Sequence, residues 1–130
     1  MKRLRWIDPR TLLLLHAETL AEHGGLAGMR DEGAFDAALA RPQNVYAYEP
    51  KADVQRLAAA YGFGLVKNHP FNDGNKRVGF LAVGLFLSLN GYDLIVDPVE
   101  AVETIFALAA GNLTEEKLAD WIRLYMVRSK

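Results

Sequence analysis

From Val78 to Leu87 the chain runs ten residues without one polar side chain. The nine residues before them, His69-Pro70-Phe71-Asn72-Asp73-Gly74-Asn75-Lys76-Arg77, are mostly polar and include both Pro and Gly. The boundary reads as a loop entering a helix, from about Asn75 to Leu89. A ten-residue apolar run is too short to cross a bilayer. A helix that is apolar on every side must be buried all round by other helices. The expected fold is therefore all-α, with this helix at its centre. Its N-terminus would present free N–H groups and the positive end of the helix dipole beside Asp73, Lys76 and Arg77, which suits a phosphate.

The 130 residues are enough for one domain, 1–130, with a real core. The net charge of −1 does not favour a nucleic-acid coat or a membrane surface. With no cysteine, disulfides, thiolate catalysis and cysteine-based zinc sites are excluded. No apolar signal-type core follows Met1-Lys2-Arg3, since Leu12 to Leu15 is interrupted at His16. The expectation is a soluble, cytoplasmic protein.

Asp8-Pro9 is a helix start, with Asp8 as N-cap and Pro9 in the first turn. Leu12, Leu13, Leu15, His16, Thr19 and Leu20 share a face, and Gly24-Gly25 stops the helix. Asp31 caps a second helix, expected from Glu32 to Arg41 and ended by Pro42. Gln43 to Lys51, with Val45, Tyr46, Ala47 and Tyr48, has extended character. It reads equally as an exposed flap or as an ordinary connection. A third helix covers Ala52 to Val66. After the apolar helix, Asn90-Gly91 breaks the chain. Asp97-Pro98-Val99-Glu100 has the form of a capping box and opens a fifth helix, through Ala110. Thr114 caps a sixth, which carries Leu118, Trp121, Ile122, Tyr125 and Met126. Six helices with short connections make a compact bundle.

The polar loop holds the chemistry. His69 carries an imidazole, a side chain that can take a proton from a hydroxyl. Asp73 is the kind of carboxylate that holds magnesium on a phosphate. Gly74 lets the backbone turn sharply and approach a ligand. Asn75 can cap the helix or hold the loop, and Lys76 and Arg77 can neutralise phosphate charge. Base, metal ligand, anion nest and two cations are the parts of a phosphoryl-transfer site. A structural turn before a helix has a similar composition. Against that reading, two cations in a first helical turn sit badly with the dipole unless an anion binds nearby.

The nine-residue loop resembles the signature of the Fic/Doc superfamily, and most closely its Doc (death-on-curing) branch. Leu15-His16, Gly24-Gly25-Leu26, Gly28-Met29, Tyr48-Glu49 and Asn90-Gly91 are also similar to Doc segments, in the same order. The resemblance implies the Fic/Doc bundle with a short extended flap. It gives His69 as catalytic base, Phe71 as anchor and Asp73 as magnesium ligand. Gly74, Asn75, Lys76 and Arg77 would bind the phosphates of ATP, with Asn75 and Arg77 in contact. Residues 43–51 would align the target as an added strand. AMP-transferring members carry Gly where Lys76 stands and a second Arg where Phe80 stands. Lys76 with Phe80 is the Doc pattern, in which the reversed nucleotide donates its γ-phosphate. Pro70 and Gly74 match the AMP-transferring version of the loop at least as well as the Doc one, but they are backbone positions and weigh less than Lys76 and Phe80.

The implied activity is a toxin kinase of a toxin–antitoxin system that phosphorylates elongation factor Tu and arrests translation. The alternatives are an AMP or other nucleotidyl transferase and an inactive binding module. No Ser or Thr has Glu four residues later, the pattern of the inhibitory helix of many Fic proteins, so inhibition from within the chain is not expected. The resemblance therefore implies an antitoxin of the Phd type in trans. With a slightly negative net charge and only Lys67, Lys76 and Arg77 as a local basic patch, no direct contact with nucleic acid is expected, and none with a membrane.

Overall fold

A computed structural model describes residues 3–130. Six helices lie in chain order: α1 (Pro9–His23), α2 (Glu32–Tyr48), α3 (Val54–Asn68), α4 (Asn75–Leu89), α5 (Pro98–Ala109) and α6 (Glu115–Tyr125). Two three-residue strands complete the elements, β1 (Tyr92–Leu94) and β2 (Met126–Arg128). The expected all-α bundle is what forms. The antiparallel pairing of Tyr92 with Arg128, which places Met126 in a strand and not in α6, is not expected from the sequence.

The helix at the centre is α3, where α4 was expected. Every residue from Leu57 to Tyr61 is buried, followed by Gly62 and Gly64–Val66. On α4, Val78, Gly79, Ala82, Val83, Phe86 and Leu87 are buried, while Phe80, Leu81, Gly84 and Leu85 are only half-buried. The reason is side-chain size. Ala58, Ala59, Ala60 and Gly62 let α2, α4 and α6 all close on α3, whereas Phe80, Leu81 and Leu85 leave one flank of α4 half-buried. At the α3–α4 crossing a Cβ on Gly79 would lie 2.7 Å from Val66 Cγ2, and one on Gly62 2.8 Å from Val83 Cγ2. Those two glycines set how closely the two helices that hold the loop approach.

α2 does not end at Pro42 but continues six residues to Tyr48. Pro42 lacks an N–H, which leaves the Ala38 carbonyl without its helical partner at a cost of about 3 kcal/mol. That carbonyl lies where Gly64 of α3 crosses; a Cβ there would be 3.3 Å from Ala38 O. Continuing the helix buries Pro42 and half-buries Val45 and Tyr46, with Tyr46 edge-on to Trp6 at 5.9 Å. Packing therefore outweighs the local preference, and residues 43–48 are not an extended flap.

Asp8, Asp31 and Thr114 cap their helices as expected, accepting from Arg10, Ala34 and Lys117 N–H at 2.9, 2.9 and 3.1 Å. The capping box on α5 does not form. Asp97 makes no side-chain cap bond, and Glu100 instead accepts from Trp121 Nε1 at 2.9 Å, tying α5 to α6. Leu13, expected to face inward, is 42% exposed. Glu115, 5% exposed at the start of α6, accepts from both Arg41 and Arg56, the latter at 2.9 Å. Burial works against the Arg56 charge, but its bonds to Glu115 and Glu49 outweigh it and raise its pKa. No helix among the described residues is long and apolar enough to cross a membrane.

Candidate active site

α3 ends on His69, the only described residue other than glycine with positive φ, at φ 51° and ψ 56°. The left-handed turn throws the chain off the helix axis and leaves the imidazole exposed. Pro70 and Phe71 then dive into the core. Phe71, 2% exposed, stacks on the His16 ring at 3.7 Å and meets Phe35 edge-on at 5.5 Å. It is the anchor that the resemblance implied.

Asn75 holds the loop from inside. Its Oδ1 accepts the Phe71 N–H at 2.9 Å, which fixes the orientation of the amide. Its Nδ2 donates to Phe71 O at 2.9 Å and to His69 Nδ1 at 3.1 Å. Nδ1 of His69 is thus an acceptor, and the neutral ring carries its proton on Nε2. At 4% exposure, with its amide bonded to Phe71 and His69, the Asn75 side chain braces the loop from within, and its backbone N–H lies in the first turn of α4.

A second segment, Gly25 to Asp31, straps the loop from outside. Pro70 O accepts from Arg30 N at 2.7 Å and Asp31 N at 3.0 Å. Asn72 N donates to Gly28 O at 3.1 Å, and Asn72 Nδ2 to Ala27 O at 3.0 Å. The Arg30 guanidinium caps the end of α3, donating to His69 O at 2.7 Å and Asn68 O at 2.9 Å. Leu26 N–H donates to Asp73 Oδ2 at 2.7 Å. This strap, bridged antiparallel to the loop at Met29 and Phe71, is the segment that lies along the loop, where residues 43–51 were expected. Val45 and Tyr48 instead share a shallow groove of about 400 Å³ with Ala37, Arg41, Asn44 and Asn68. Tyr46 faces Trp6 in the partly buried shell of the core, and Ala47 is exposed.

Gly74 takes φ 84°, which an L side chain rarely adopts, and starts α4 without a side-chain cap. The first helical bond of α4 is Val78 N–H to Gly74 O at 2.9 Å. Lys76 and Arg77 are exposed in the first turn, and neither has an ion-pair partner among the described residues. Lys76 Nζ lies 5.3 Å from the centroid of the Phe106 ring. Asp73 is exposed, and its Oδ1 has no hydrogen bond among the described residues. No group of three or more candidate metal ligands exists among the described residues. One carboxylate beside an open helix N-terminus fits magnesium, which takes few protein ligands and completes its shell with phosphate and water.

Sequence reasoning placed His69, Asp73, Gly74, Asn75, Lys76 and Arg77 together, and the fold brings them together. It missed His16, Arg30 and the strap backbone as parts of the site. The signal available was the set of Doc-like segments Leu15-His16, Gly24-Gly25-Leu26 and Gly28-Met29, to which no role in the site had been given. The family model of the Fic/DOC family matches residues 6–87. The chain belongs to the Fic/Doc family. It is 36% identical over 120 residues to protein kinase doc of Escherichia phage P1, covering 92% of this chain and 94% of that one. It is 43% identical over 75 residues to toxin Doc of Mycolicibacterium smegmatis, covering 57% and 58% of the two chains. Both relatives belong to the Doc branch.

Proposed function

We propose that this Fic/Doc protein is a Doc-type toxin that uses Mg·ATP to phosphorylate a hydroxyl on a translation factor. By resemblance the factor is elongation factor Tu, and the outcome is arrest of translation in the cytoplasm. The carrying observation is the uncapped N-terminus of α4, with Lys76 and Arg77 unpaired among the described residues, next to His69 and Asp73 in the loop. A triphosphate supplies the charge which that end lacks.

The N–H groups from Gly74 to Arg77 bind and orient the phosphates. Lys76 and Arg77 neutralise them, Arg77 as a planar fork. Asp73 would hold magnesium, which neutralises charge on the phosphate oxygens. The target hydroxyl oxygen bonds to the γ-phosphorus as the bond to ADP breaks. His69 takes the hydroxyl proton. At Nε2 it can do so only after its own proton has moved to Nδ1, which requires Asn75 to release that atom. The bridged backbone around Met29, on the strap beside the loop, is where a target segment would align. A toxin of this type needs an antitoxin in trans, of Phd type by resemblance.

Transfer of AMP is the second reading, favoured by Pro70 and Gly74. Incubating the protein with elongation factor Tu and ATP labelled at either the α or the γ position separates the two. Label from γ alone, with a one-phosphate mass gain, is expected. Label from α would replace the kinase reading with nucleotidyl transfer, and no label would leave a binding module. His69→Ala is expected to slow transfer by about 10²–10⁴-fold, the range for losing a positioned base.

A further inference from the structure

Of the three histidines only His16 is buried, at 6% exposure. It belongs to α1, yet its ring lies against the loop. Besides stacking on Phe71 with 12° between planes, its Nε2 lies 2.7 Å from the Asp73 carbonyl oxygen. A carbonyl oxygen only accepts, so Nε2 carries the hydrogen and donates it.

That carbonyl belongs to the peptide that joins Asp73 to Gly74. No peptide bond among the described residues is cis. In a planar trans peptide the N–H points opposite to the C=O. Drawing the Asp73 oxygen toward His16 therefore turns the Gly74 N–H away from α1, to the side opposite the imidazole. Gly74, free on both sides of the Ramachandran map, cannot hold that plane by itself. A side chain at 74 would also meet the ring, since a Cβ there would lie 3.4 Å from His16 Cδ2.

We infer that His16 is a positioning residue for nucleotide binding: it sets the 73–74 peptide plane and so aims the first N–H of the phosphate nest. The inference rests on the reading of the α4 N-terminus as a phosphate site. His16 touches neither phosphate nor metal; it acts through the peptide between Asp73 and Gly74. Its place on α1 also makes nucleotide affinity depend on the docking of that helix.

The test compares the full chain with His16→Gln, which can still donate near the Nε2 position, and His16→Leu, which cannot. Sodium tripolyphosphate without magnesium is the probe, titrated calorimetrically, and amide spectra follow Gly74. His16→Leu is expected to move the Gly74 amide resonance, speed its hydrogen exchange and weaken tripolyphosphate binding about tenfold, the equivalent of one hydrogen bond. His16→Gln is expected to recover most of the loss. Wild-type behaviour of Gly74 and of affinity in His16→Leu overturns the inference. If that variant does not fold, the wild type decides: its imidazole spectrum must show a slowly exchanging proton on His16 Nε2, and a bare Nε2 overturns it. Failure of the wild type to bind tripolyphosphate would remove the phosphate reading itself, while the Gly74 exchange and the imidazole proton still judge His16.

Discussion

Two helix N-termini in this molecule are built in opposite ways. At α6, Thr114 caps the helix and Glu115 and Glu116 occupy the first turn, the sign that the dipole favours. Glu115 is buried and answered by Arg41 and Arg56. At α4 no side chain caps the helix, no acid lies in the first turn, and Lys76 and Arg77 add positive charge to a positive end. The first terminus is complete within the chain. The second is completed only by an anion from outside. A chain marks its ligand site by the charges it leaves unanswered, and here the contrast lies within one fold.

Three experiments sharpen or break that contrast. The largest effect is expected from the double variant Lys76→Glu/Arg77→Glu. Losing two charged hydrogen bonds of about 1.5–3 kcal/mol each should weaken tripolyphosphate binding a hundredfold or more. Calorimetric titration at fixed salt reads it, and an unchanged affinity would dissolve the distinction between the two ends. Next, Glu115→Ala strands two guanidinium groups and should cost on the order of 3 kcal/mol in urea unfolding. Arg41 is partly in water, which holds the loss toward the low side. Tripolyphosphate affinity should stay at the wild-type value in that variant; a parallel drop would mean that the two termini are coupled. The smallest effect has the opposite sign. Lys76→Glu alone should stabilise the fold by about 0.3–1 kcal/mol, because the new charge suits the dipole. A loss of stability by the same urea measurement would show that Lys76 over Phe106 contributes more to the fold than the dipole argument allows.

The parts of the site that are close in sequence were legible. Gly74, Asn75, Lys76 and Arg77 lie in one stretch, and their types announce an open helix end. The caps Asp8, Asp31 and Thr114 were legible for the same reason: each acts on a neighbour two or three residues away. What escaped depends on contacts between distant segments. Pro42 stays helical because continuing the helix buries it and packs Tyr46 against Trp6, far along the chain. Glu100 leaves its expected box because Trp121 offers a donor. Gln43 to Lys51 has strand-forming residues, yet Val45 and Tyr46 gain more by packing as helix. α3 was overlooked as the central helix because small residues carry little hydrophobic signal, although they permit the closest approach.

The strap also implies an order of assembly. Asn75 reaches Phe71 across four residues, whereas Leu26 meets Asp73 across 47 and His16 meets it across 57. Closing the longer loops costs more chain entropy, and contacts of high sequence separation form slowly. We predict that the α3–α4 hairpin acquires its inner bonds first and that α1 and the strap latch on afterwards. Pulse-labelled hydrogen exchange during refolding should find the Asn72 amide protected later than those of α4; simultaneous protection would reject that order. A refolding chain would then pass through a stage with its loop shaped but not yet latched.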